Sequence, residues 1–74
     1  MERIDDYKRV GFVPTEAQEA KLVLLMERFE NADQVTVCKD FSPGWMVLVF
    51  ECLKDGEWKH FMTVGVGPEG DSHT

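Results

Sequence analysis

Between Trp45 and Phe50 the chain reads WMVLVF, an unbroken apolar run, and this run constrains the fold more than any other stretch. It is far short of the ~18 to 20 residues needed to cross a bilayer. Rich in β-formers and bounded by SPG before it and KDG after it, it predicts a β-strand. A strand with one wet face alternates apolar and polar side chains. Met46, Val47, Leu48, Val49 and Phe50 do not alternate, so both faces of this strand need a cover.

One cover is legible upstream. In PTEAQ, Thr15 is a good N-cap, Gln18 stands where a capping box needs it, and Glu16 and Glu19 suit the positive end of a helix dipole. Leu22, Leu25, Met26 and Phe29 follow at the i, i+3, i+4, i+7 spacing of a buried stripe, which Ala20, Val23 and Leu24 widen. Nothing interrupts the pattern before NAD at 31–33, so a helix is predicted over 16–31. The period then changes from 3.6 to two or to continuous β-formers. QVTVCKDF, WMVLVFECL and EWKHFMTVGV predict strands over 34–40, 45–53 and 57–66, joined closely enough to form an antiparallel meander. Residues 1–14 show no clean period and read as an arm; 67–74, with Pro, two Gly and polar residues, read as a flexible, frayed tail. The expected fold is α+β in one small domain, 1–74, with the helix on one face of a three-stranded sheet.

The densest collection of chemically capable groups is ECLKDGEWKH, residues 51–60. Asp55-Gly56 is a strong hairpin signal, and two registers compete. A two-residue loop pairs Lys54 with Glu57, Glu51 with His60, and Cys52 with Lys59. A three-residue loop with Gly56 as a bulge pairs Leu53 with Glu57, Cys52 with Trp58, and Glu51 with Lys59. The second gathers Met46, Leu48, Phe50, Cys52, Trp58, His60, Met62, Val64 and Val66 on one side, and is the expected register. That register disperses the cluster, with Glu51 and Glu57 facing one way and Cys52 and His60 the other, and it makes Glu51 and Lys59 an opposite-charge pair across the strands.

The chain offers Cys38, Cys52, His60 and His73 without CxxC or HxxxH spacing, so no metal site is expected. Cys52 and His60 could share a face as a nucleophile pair, but the apolar neighbours Phe50, Trp58 and Met62 make Cys52 a small hydrophobe instead. VGVGPEG contains G-x-G with no helix after it and no Lys-Ser/Thr, so no phosphate loop and no cofactor is expected. The chain therefore reads as having no catalytic residues, and as no enzyme.

Fourteen acidic against eight basic residues give a net charge of −6, which repels a phosphate backbone and disfavours direct nucleic-acid binding, aromatics notwithstanding. The absence of a spanning run or opening apolar leader, and only two cysteines, make the cytoplasm the expected compartment. A chain of 74 residues buries only roughly 60% of its unfolded surface. A core so small gains from association.

If the helix covers Met46, Leu48 and Phe50, the other face of the sheet must be covered by the folded-back arm, with Ile4, Tyr7, Val10 and Phe12, or by another chain. In the second case the partner-binding set is Trp45, Val47, Val49 and Phe61 as anchors, with Glu51, Glu57 and Lys59 as a charged rim. The edge of QVTVCK is a further place for strand addition. The expected function is a non-enzymatic, acidic protein-interaction module, an inhibitor or adaptor of the kind that phages and mobile elements encode. It acts by binding a larger protein partner, in one version as a nucleic-acid mimic, or by homodimerising. The alternative is a small ligand-binding or thiol-dependent domain using Cys52 and His60.

Overall fold

The capping box around Thr15 forms as its residues require. In the computed structural model, which describes residues 1–74, the Thr15 hydroxyl accepts from the Gln18 N–H at 3.1 Å and Gln18 Oε1 accepts from the Thr15 N–H at 2.8 Å. Helix α1 then runs Glu16–Arg28. It stops short of residue 31 because the chain must turn into the sheet. The Ala32 N–H folds back onto the Phe29 carbonyl at 2.9 Å, and the Asp33 N–H reaches the Glu51 carbonyl at 2.8 Å. Gln18, Leu22 and Leu25 are buried, and Met26 and Phe29 pack against the core. Ala20, Val23 and Leu24 stay on the wet side. The buried arc is narrower than expected because only one side of the helix faces the sheet.

That sheet has five strands rather than three: β1 (Glu2–Asp5), β2 (Gln34–Lys39), β3 (Met46–Lys54), β4 (Glu57–Val66) and β5 (Ser72–His73), in that order across it. β2 to β5 are antiparallel neighbours, whereas β1 lies parallel to β2, so α1 is the crossover of a β1–α1–β2 unit. The expected meander is present as β2–β3–β4, but it is part of a larger, mixed sheet. Residues 1–14 are no loose arm: β1 leads into a 3-10 turn, Asp6–Val10, that buries Tyr7 edge-on against Phe12. The segment 67–74 is likewise folded back, with the Gly67 N–H bonded to the Asp71 carbonyl at 2.8 Å and β5 paired with Gly65 and Val66. With β1 on its outer side, β2 is not an edge, and strand addition there is closed.

The core lies between α1 and one face of the sheet. Val35, Phe50 and Met62 form one row across the strands and Val37, Leu48 and Val64 the next, with Met46 and Val66 beyond them. Phe29 packs edge-on to Phe50, their ring centres 5.0 Å apart. β1 adds a polar clamp to this side. Arg3, in the same row as Val35, donates to both Glu19 carboxylate oxygens at 3.0 and 2.8 Å and to Asp5 at 2.6 Å. The bond to Glu19 chiefly, and that to Asp5, push the Arg3 pKa up despite partial burial.

The β3–β4 hairpin takes the two-residue register. Asp55 (φ 52°) and Gly56 (φ 77°) are both left-handed, as a type I′ turn requires, and Lys54 pairs with Glu57, Cys52 with Lys59, and Glu51 with His60. The extra residue that the expected register put in the turn appears instead at Phe61. His60 opposes Glu51 and Met62 opposes Phe50, leaving Phe61 as a bulge. Both constraints are met this way. The type I′ turn matches the twist of the strands, and a single slip further along returns Met62, Val64 and Val66 to the core side. The price is that Trp58 and His60 leave that side, and the Glu51–Lys59 pair does not form; Lys59 bonds Glu57 at 3.3 Å instead.

Candidate interaction surface

The face of the sheet away from α1 has no cover from this chain along most of its length. Strand register assigns its side chains row by row. Nearest the hairpin tip, Leu53 opposes Trp58. The next row is Glu2, Gln34, Glu51 and His60, and the one after it Ile4, Thr36, Val49 and Thr63. The last joins Cys38, Val47, Gly65 and His73. At that end Trp45 stacks on His73 at 5.5 Å between ring centres and lies over Gly65. Gly67 makes room for it: a Cβ there would stand 2.9 Å from Trp45 Cζ2.

The face thus mixes apolar side chains, Ile4, Val47, Val49, Leu53 and Trp58, with threonines and one row that is polar throughout. Ile4, Leu53 and Trp58 are exposed at 37%, 48% and 46%, while Val47 and Val49 are half-buried by their own neighbours. Within the polar row, Gln34 Nε2 donates to Glu51 Oε1 at 3.0 Å, and His60 Nε2 lies 2.7 Å from the Thr63 hydroxyl. β3 and β4 also outrun β2, whose pairing ends at Glu51. The hairpin beyond it projects as a two-stranded ribbon, its base held by the Leu53 N–H bond to Asp33 Oδ2 at 2.6 Å.

Of the residues singled out from the sequence, Trp45, Val47, Val49 and Glu51 lie together on this open face. Glu57, Lys59 and Phe61 do not. Glu57 and Lys59 sit in rows with Lys54 and Cys52 on the helix side, and the Phe61 ring packs edge-on to Phe29 at 5.9 Å. The bulge sends Phe61 to the helix side, and the true register brings Trp58 and His60 onto the open face beside Leu53 in its stead. The arm does not cover the face either: Ile4 joins it as one more exposed side chain, and Tyr7 is buried with the core.

Cys52 and His60 are parted by the same register. Cys52 is on the helix side, its Sγ 3.7 Å from the Asn31 carbonyl, while His60 is on the open side. The two surface clefts of the molecule are lined by Met1, Val23, Met26, Glu27 and Glu30 and by the segments around Asp6 and Phe41, and neither contains either residue. Burial, and secondarily the charge of Asp6, push the Cys38 thiol up from its ordinary pKa, which disfavours a thiolate. No three His, Cys, Asp or Glu side chains are grouped to hold an ion, and no helix is long and apolar enough to cross a membrane.

Comparison of the chain with protein-family models, with curated proteins and with solved structures finds no match to any of them.

Proposed function

We propose that this chain is a non-enzymatic protein-interaction module that works by laying the open face of its sheet against a larger protein, as an inhibitor or adaptor does. The observation that carries this reading is β3. Its residues are apolar toward both sides, yet α1 covers only Met46, Leu48 and Phe50, and the one segment that could have covered Val47 and Val49 is instead an edge strand. Exposed apolar surface next to a Trp is the usual make-up of an interface centre. The thiol-dependent alternative has less support, since Cys52 and His60 lie on opposite faces.

The test is a pair of V47E and V49E variants, whose side chains point away from the core. Wild-type chain immobilised in lysate of its source should retain a protein that neither variant retains, while circular dichroism shows both variants folded. Retention unchanged by either substitution would remove the open face from the function.

A further inference from the structure

The charges of the sheet are sorted by face. The strands carry four cations, Arg3, Lys39, Lys54 and Lys59. All are on the helix side: Arg3 shares a row with Val35, Lys39 with Met46 and Lys59 with Cys52, and Lys54 follows Cys52 by two residues along β3. The open face has no Lys or Arg from any strand. It has Glu2 and Glu51, neither of which takes part in an ion pair. Arg9, beside the Cys38 corner, is held by Asp6 at 3.0 Å.

The geometry of the row sharpens this. Glu2 and Glu51 are separated by β2, which puts their strands about 10 Å apart. Apolar side chains flank the row on both sides, Leu53 and Trp58 toward the tip, Ile4 and Val49 toward the middle of the sheet. Gln34 bonds one oxygen of Glu51, leaving the other without a protein partner. A carboxylate desolvated against a neutral surface would be left unpaired at a cost. A second copy of this chain is a poor occupant, since it would bring two more carboxylates and no strand cation to the interface, on top of its own charge of −6.

Resting on the reading of the open face as an interaction surface, we propose that its occupant is a cationic protein segment, with Arg or Lys side chains set over the Glu2–Gln34–Glu51 row and apolar neighbours seated on Ile4 and Val49 and on Leu53 and Trp58. The face then discriminates by charge and holds by apolar contact. Arg suits the free Glu51 oxygen and can also lie on the Trp58 ring.

The experiment is selection of a random peptide display library on the full-length chain, with the V49E and E2Q/E51Q chains as counter-targets. The expected pool is rich in Arg and Lys interspersed with apolar residues, loses binding to V49E, and binds E2Q/E51Q at least about tenfold more weakly. A pool that depends on Val49 but is neutral or acidic, or that is indifferent to E2Q/E51Q, overturns the cationic occupant while leaving the surface itself standing. A pool indifferent to V49E, or no enrichment over an empty support, overturns both.

Discussion

Gln18 Nε2 donates to the Val66 carbonyl at 3.0 Å, tying the first turn of α1 to the end of β4. Its second amide proton goes to the Gly44 carbonyl at 2.8 Å, and its oxygen accepts from the Thr15 N–H. One fully buried amide thus joins the helix cap, the β2–β3 loop and the last long strand. Replacing Gln18 with Leu keeps the volume but strips the Val66 and Gly44 carbonyls of a donor. The expected loss is about 1–3 kcal/mol in denaturant unfolding, with the slope unchanged. A loss below a few tenths would mean that the amide is not holding these segments together.

The hairpin turn offers a cleaner test of backbone strain. Around Gly56 nothing lies within 4 Å of where a Cβ would be, but its φ is +77°. Gly56→Ala is therefore expected to cost about 1–2 kcal/mol through conformation alone. Asp55→Gly, at the other left-handed position, should be neutral or mildly stabilising. If Gly56→Ala were silent, the type I′ turn would not persist in solution.

Adjacent residues of β3 should behave very differently. Leu48 is fully buried under α1, and Leu48→Ala should cost about 2–5 kcal/mol. Val49→Ala, on the open face, should cost about 1 kcal/mol or less. Equal costs, measured in the isolated chain, would show that something covers Val49 after all. A protein bound to the open face, as proposed above, should narrow the difference, because Val49 would then become interior.

Cys38 makes stability depend on alkaline pH. Its folded pKa is raised, mainly by desolvation, so the folded state holds the proton after the unfolded state has released it. This contribution is complete below the unfolded thiol pKa and is lost as pH rises from there toward the folded value. As pH rises above the unperturbed thiol pKa of about 8.5, the wild type should lose stability relative to Cys38→Ala. Parallel stability curves for the two chains over that range would exclude the effect.

Arg3 should matter locally more than globally. Its bonds to Glu19 are bidentate but its side chain is over a quarter exposed, so Arg3→Met should cost no more than about 1 kcal/mol. The sensitive readout is hydrogen exchange. Amides of the β1–β2 pairing should lose protection while those of the β3–β4 pairing keep theirs.

What the sequence by itself determined is whatever depends on near neighbours. The capping box at Thr15 and Gln18, the stripe of Leu22, Leu25, Met26 and Phe29, the three long strands, and the apolar demand on both sides of β3 are all written in local periodicity and turn residues. From these the second face of the sheet and four of its residues, Trp45, Val47, Val49 and Glu51, followed, whereas the choice between the arm and another chain as its cover did not. The tertiary structure decided what depends on distant pairing. ERID has only Ile4 to mark it as a strand, and it becomes one because β2 offers an edge and Glu19 a partner for Arg3. Ser72 and His73 pair only because β4 and the stacked Trp45 are there to receive them. The position of the bulge was decided in the same way. A turn chooses its own best geometry at Asp55-Gly56, the core demands Met62 on its side, and only where the two conflict does one residue slip out of register. That residue is Phe61, and the slip moved Trp58 and His60 to the face where a partner would meet them.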